Sequence, residues 1–339
     1  MEENSGNAIA GLKVILQPLS NSDRSVSLTN WLPPSPNIPI WVNLTKSGDI
    51  TKVMPILPEA KHYPLLLDSI SRQINQNKIV QWQGKTYQIN DIEIDRHSLH
   101  VLHVSLTPAK TLPSTMGRAI HARFFKWLAA TNPDLAEEIH SSKSLPVTLA
   151  LRSNTFRQNF YLRISILQKA LLAPLLWGLS QDLGVDINLA HIDCRLGNSL
   201  EIVKSTTFEE LVKIPSCHLI EIEFVSPTSF KQEQNVQALP LPELVFDNLW
   251  RRWNTFAPEN LHFPAIKWHC LVSAFDIKTY ALKMKGGPEI GAQGWVRYLF
   301  PKPEEAAIAT TLANFAVFAG IGRKTGMGMG QVKIITESR

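Results

Sequence analysis

The sequence predicts an α+β chain in which one order of elements, β-α-β-β-α-β, occurs twice after an N-terminal extension. Three observations predict it. From residue 96 onward, apolar residues alternate between the period-2 spacing of strands and the 3.6-residue spacing of helices in that order. At 44% hydrophobic and 19% charged residues the chain can fill a core. Its 339 residues suffice for two or three domains of ordinary size.

Residues 1–95 form the extension, for which no fold or chemistry is assigned. They carry 8 Lys+Arg against 9 Asp+Glu, a net −1. "WLPPSPNIP", Trp31 to Pro39, is a break where neither a helix nor a central strand continues. "YPLLLDSISRQI" has helical spacing, and "IVQWQGKTYQI" reads as a hairpin turning at Gln83-Gly84.

The first unit spans residues 96–215. "SLHVLHVSL" is strand-like. "GRAIHARFFKWLAA" places Ile120, Phe124, Trp127 and Leu128 on one helical face. Asn132-Pro133 then supplies a cap and a first-turn proline for a short helix, "DLAEEIH". "LPVTLAL" and "NFYLRISI" are strands. "LQKALLAPLLWGLSQDL" is a helix with Pro174 inside it, and "VDINLAHI" is the returning strand.

The second unit spans residues 216–339 and repeats the order. "CHLIEIEFVS" is a strand, "LPELVFDNLWRRW" a helix, "IKWHCLVSAFDIKTYALKM" and "GAQGWVRYLF" strands. "PEEAAIATTLANFAVFA" is a helix whose first turn holds Pro303 and two glutamates, where the dipole favours them. "QVKII" is the last strand. Two such units in tandem are ferredoxin-like domains. Each would present an open sheet face, the surface with which RNA-recognition modules of the same topology hold single strands.

Several function classes are excluded. "MEENSGNAIAG" has no apolar core and is not a secretory signal. The densest apolar run, "ALLAPLLWGL", is interrupted by proline and is about half the length of a membrane span. Cys194, Cys217 and Cys270 lie far apart, without the spacing of a disulfide framework or a zinc site, and fit a reducing cytoplasm. "RHSLHVLHV" offers His97, His100 and His103. On a strand His100 would face away from the other two, so no metal site is expected, and no cofactor. Residues 96–339 carry 26 Lys+Arg against 20 Asp+Glu, a net +6 that is compatible with a polyanionic partner.

Near the C-terminus, "FAGIGRKTGMGMGQV" packs Gly320, Gly322, Gly326, Gly328 and Gly330 around Arg323 and Lys324. It is not a Walker A loop, which needs Gly-Lys-Ser/Thr four residues beyond a first glycine. Nor is it a dinucleotide fingerprint, since Thr325 stands where the third glycine would fall. Two readings remain. It is a helix-to-strand turn, or a backbone nest whose N–H groups approach phosphate while Arg323 and Lys324 neutralise charge.

This stretch resembles the C-terminal glycine-rich signature of the CRISPR-associated repeat-processing endoribonucleases, in the RAMP superfamily. Three further stretches are similar to that family in the same order: "GRAIHARFFKWLAATNPDLAEEIH", "SPTSFKQEQNVQALPLPELVFDNLWRRWN" and "GAQGWVRYLF". The resemblance implies two tandem ferredoxin-like domains. It implies cleavage of the CRISPR precursor transcript (pre-crRNA) within each repeat, giving guide RNAs. The implied reaction is metal-independent attack by a ribose 2′-hydroxyl, leaving a 2′,3′-cyclic phosphate and a 5′-hydroxyl. The extension departs from the family, which begins near residue 98. It would be an added domain, a dock for other CRISPR effector subunits or a degenerate fragment.

Such a reaction needs a base, an acid and a cation for the phosphate; histidine suits the proton transfers. His140 ends its short helix, where the dipole favours positive charge. His121 follows Arg118 by three residues, at the edge of the apolar face. The resemblance implies that His140 is catalytic and that His121 is a second catalytic histidine, with Arg118 and Lys143 stabilising phosphate. Lys231, Arg251 and Arg252 are further candidates for RNA contact. The alternative is a non-catalytic RNA-binding scaffold subunit of a CRISPR effector complex, whose histidines would be dispensable.

Overall fold

A computed structural model describes residues 11–19, 25–33, 38–44, 50–76, 78–113, 116–154, 159–284 and 287–335. The extension contributes β1 (Lys13–Pro18), β2 (Val26–Ser27), β3 (Ile40–Leu44), β4 (Thr51–Ile56), α1 (Tyr63–Ile74), β5 (Ile79–Trp82) and β6 (Lys85–Glu93). Helix α1 and the β5–β6 hairpin fall where the sequence places them. Gln83 and Gly84 both adopt positive φ at the turn. The proline break is in part outside the described residues.

The first ferredoxin-like unit follows: β7 (Leu99–Pro108), α2 (Gly117–Ala129), α3 (Pro133–Ser141), β8 (Val147–Asn154), β9 (Asn159–Ile166), α4 (Leu172–Ser180), β10 (Asp186–Leu189) and β11 (Ile192–Thr206). Its sheet order, β11-β7-β9-β8, is that of a β-α-β-β-α-β domain. The expected returning strand "VDINLAHI" is only the first arm of a hairpin. The chain turns at Ala190 and His191, both with positive φ, and β11 is the strand that joins the sheet. Pro174 is the third residue of α4 rather than an interior one, a position whose N–H has no partner to lose.

Helix α5 (Phe208–Val212), held by a capping box of Thr207 and Glu210, leads into the second unit. This comprises β12 (Leu219–Thr228), the hairpin β13 (Phe230–Gln232) and β14 (Asn235–Gln237), α6 (Pro242–Phe256), β15 (Leu271–Met284), β16 (Gly287–Leu299), α7 (Pro303–Ala319) and β17 (Val332–Ile335). Its sheet order is β15-β16-β12-β17, so both halves are ferredoxin-like.

The extension joins the first sheet at its edge. Strand β3 runs parallel to β11, with Ser199 opposite Asn43 and Leu200 opposite Leu44. One hydrophobic core continues from Val14, Ile56 and Tyr63 of the extension to Phe124, Ile164 and Leu175 of the first unit. The second core, around Phe246, Trp253 and Phe315, also takes in Leu99, Val101 and Leu167 from the first sheet. The first sheet therefore does not present a fully open face, contrary to the expectation from topology. The C-terminal end of α7 lies over it. Thr148 donates to the Phe318 carbonyl at 3.2 Å, and Arg163 donates to the Val317 carbonyl at 2.6 Å and to Gln331 at 2.9 Å.

The "RHSLHVLHV" histidines are also placed differently from expectation. Strand β7 begins at Leu99, so His97 lies outside its alternation. His97 and the fully buried His100 both approach Asp95 Oδ1, at 2.8 and 3.2 Å. His103 instead packs against Tyr161 on the other face, with the rings tilted and their centroids 4.3 Å apart. Among the described residues no group of His, Cys, Asp and Glu is placed to hold a metal. No described helix is long and apolar enough to cross a membrane.

Candidate active-site cleft

Helix α2 carries His121, and its placement is fixed from both ends. Near its C-terminus, Arg123 and Trp127 both donate to Asp182 beyond α4. Gly178 lets α4 cross close by, since any side chain there would strike the Trp127 carbonyl. At its N-terminus Gly117 touches the Met327 carbonyl of the glycine-rich loop, again with no room for a Cβ.

Helix α3 carries His140 in its last turn. The cap predicted from Asn132 is present, its side chain accepting from the Leu135 amide at 3.0 Å. The two imidazoles come together, with ring centroids 6.2 Å apart. Phe125 packs between them, 4.8 Å from His121 and 5.0 Å from His140. His140 is exposed and His121 half-buried. Burial, then the neighbouring His140 and Arg118, push the His121 imidazolium below its ordinary pKa. Arg118 itself is exposed.

His121 forms part of the wall of a cleft of about 460 Å³ between the two ferredoxin-like units. The first unit supplies His121, Lys143, Ser144 and Leu145. The second supplies Asn248, Arg251, Arg252 and Thr255 from α6 and the loop from Gly322 to Met327. Lys143, Arg251, Arg252, Arg323 and Lys324 all line it, and no carboxylate does. A cleft lined by cations of one sign favours a polyanion. Lys231 lies on β13, outside this lining.

Three candidates have a structural tie that the sequence does not show. Arg252 is 9% exposed, donates to the Leu145 carbonyl at 3.2 Å and lies over Phe256. Burial lowers its pKa to about 10. It forms the cleft's floor by tying α6 to the first unit, and is not the freely exposed cation that its position in "LWRRW" suggests. Arg323 and Lys324 both reach Glu289 on β16, at 2.8 and 2.5 Å. Burial raises the Glu289 pKa, but the bond from Lys324 and the charges of Arg323 and Lys324 outweigh it.

The glycine loop is more committed to its own domain than a bare nest would be. The amides of Ile321, Gly322, Arg323 and Gly330 donate to Gly330 O, Asn248 Oδ1, Ser229 O and Pro227 O. Gly320, Gly322, Gly328 and Gly330 have positive φ, and Lys324 is left-handed as well. Gly326 is not among them. It is small because Leu145 and His121 lie against it. The loop is thus a structural turn that also forms the cleft wall.

Sequence reasoning missed Asn248, Phe125 and Glu289. Asn248 carried a signal: with Arg251, Arg252 and Thr255 it forms an i, i+3, i+4, i+7 polar stripe on α6. Glu289 carried none, being 34 residues from Arg323 in the chain.

Residues 222–332 match the model of the CRISPR-associated endoribonuclease Cas6 family. A Cas6 product complex is similar in fold, with TM-score 0.61 and 23% identity over 70% of this chain and 100% of that one. Thermus thermophilus Cas6 gives 0.56 and 22% over 71% and 100%. A Cas6-related protein from Pyrococcus furiosus gives 0.51 and 15% over the same shares. No curated protein matches the sequence. The chain thus resembles the CRISPR-associated repeat-processing endoribonucleases, in sequence over residues 222–332 and in fold over 70–71% of its length.

Proposed function

We propose that this protein is a metal-independent endoribonuclease that cleaves CRISPR repeat RNA. The observation that carries the proposal is the pair of imidazoles, 6.2 Å apart, beside a cleft lined by five Lys and Arg side chains. RNA phosphates enter that cleft. His121 takes the proton from the 2′-hydroxyl at the scissile nucleotide; its lowered pKa keeps it unprotonated, as a base must be. The 2′-oxygen bonds to phosphorus as the bond to the 5′-oxygen breaks. His140 gives the leaving 5′-oxygen its proton. The products are a 2′,3′-cyclic phosphate and a 5′-hydroxyl. Lys143 and Arg118, each three residues from a histidine in the sequence, stabilise the phosphate's charge. Holding the 2′-hydroxyl in line supplies much of the remaining acceleration.

The likeness in fold to a Cas6 substrate mimic complex supports an RNA substrate. The test is incubation of the pure protein with repeat RNA in EDTA, followed by mapping of the ends. Cutting is expected, and a 2′-deoxy substitution at the cleavage nucleotide is expected to abolish it while sparing binding. Strict dependence on added Mg²⁺ overturns the mechanism. Binding without cutting under any condition would favour the scaffold reading.

A further inference from the structure

Strand β15 is 14 residues long and lies at the edge of the second sheet. Among the described residues nothing pairs with its outer side. Free edges of this length are usually covered, kinked by proline or made repulsive by charge. This one has no proline and carries apolar side chains in the open. Phe275 is 64% exposed and Tyr280 47%. Ile277 packs on the second core, so Phe275 and Thr279 share its core-side face, while Ala274, Asp276, Lys278 and Tyr280 share the other.

We infer that this edge pairs with the same edge of a second copy, joining two four-stranded sheets into one across a two-fold axis. The strand's own pattern selects the register. Two identical antiparallel strands related by a two-fold keep like faces together only if the axis passes through a residue. An axis through Asp276 sets two aspartates opposite each other, and one through Lys278 sets two lysines opposite. An axis through Ile277 places Asp276 against the partner subunit's Lys278, and Lys278 against the partner subunit's Asp276. The same register sets Phe275 beside the partner subunit's Thr279, and Tyr280 beside the partner subunit's Ala274. Both charged residues are exposed, and among the described residues neither makes an ion pair within its own chain. Of these three axes, only the one through Ile277 sets opposite charges against each other and keeps like charges apart.

The experiment is sedimentation of the full-length protein, without RNA, across a range of micromolar concentrations. A reversible dimer is expected. Asp276→Lys and Lys278→Asp each turn two attractions into two repulsions and should weaken the dimer about tenfold. The double variant, Asp276→Lys with Lys278→Asp, restores the complementarity and should recover the dimer. Thermal melts by circular dichroism check that these exposed substitutions leave the fold intact. A monomer at the highest concentration overturns the inference. A dimer that neither single substitution weakens, or that the double variant fails to recover, also overturns it, because the contact then lies elsewhere.

Discussion

In the first sheet, β11 is covered by β3 of the extension, and part of the open face lies under the end of α7. In the second sheet, β15 pairs only on its inner side among the described residues. The two units share a strand order and differ in what their surfaces are free to do. The difference divides the labour of the candidate site. The first unit brings titratable side chains, His121 and His140, from its helices. The second brings Arg251, Arg323, Lys324 and a stiff glycine-rich wall. Repeating a topology does not repeat a surface, and the candidate site belongs to the junction and not to either fold alone.

The sharpest way to separate the two contributions is to remove the first unit's chemistry. His140→Ala is expected to lower the single-turnover cleavage rate by about 10²-fold or more, and His121→Ala by as much or less. Binding, read by filter retention, should change little in both. Equal cleavage by both variants and the wild type would reduce the first unit to a binding surface.

The contact between the units is the next target. Gly117→Ala forces a side chain against the Met327 carbonyl, and Gly326→Val against Leu145. Gly117→Ala is expected to cost about 1–3 kcal/mol of stability because the contact must shift backbone, and Gly326→Val less because the Leu145 side-chain end can turn aside. Urea unfolding measures it. Gly328→Ala is the control. It meets nothing within 4 Å and is opposed only by its φ of 92°.

The second unit's share is electrostatic and smaller. Arg323→Ala and Lys324→Ala should weaken binding to all RNAs alike and flatten the salt dependence by about 0.7 per lost contact on single strands. Glu289 already shares both charges, so Glu289→Gln should act in the opposite sense and steepen the slope. If the double alanine variant keeps affinity and slope, RNA is held by Arg251 or Lys231 instead.

The smallest effect concerns His103. Burial, with Arg163 beside it, lowers its pKa to about 4. The unfolded chain protonates His103 near its ordinary value of about 6.5. The folded state binds the proton less readily, so the stability His103 contributes is present above that value and lost as pH falls through about 4. Because His103 is only half-buried, the loss should be about 1 kcal/mol or less. His103→Phe keeps the ring against Tyr161 and should flatten stability over that window in acid unfolding curves.

The element order of both ferredoxin-like units was legible because long amphipathic helices and alternating strands carry their period locally. Helix α7 is buried on nearly every side and was legible instead from its 17 mostly apolar residues and acidic first turn. Strand β11 could not. Gly197 and Asn198 interrupt its alternation, and its hairpin turns at Ala190-His191, not at an Asn-Gly pair. Strands β1, β3 and β4 were equally silent, since each is short and has a partner distant in the chain. At the site, sequence supplied His121, His140, Lys143, Arg251 and the glycine loop. It misjudged Arg252, whose burial depends on the Leu145 carbonyl 107 positions away. It also misjudged Gly326, whose neighbours come from the other unit.

The seam between β3 and β11 makes the extension part of the same plate that carries α2 and α3. The plate spans eleven strands and one continuous core. A load applied at β2, its far margin, is transmitted strand by strand through backbone hydrogen bonds to the layer on which both imidazoles ride. The extension is therefore mechanically in series with the cleft. Cutting the chain at residue 96 would unpair β11 at Ser199 and Leu200 and expose to water the core that the extension now shares. It would not release an independent appendage.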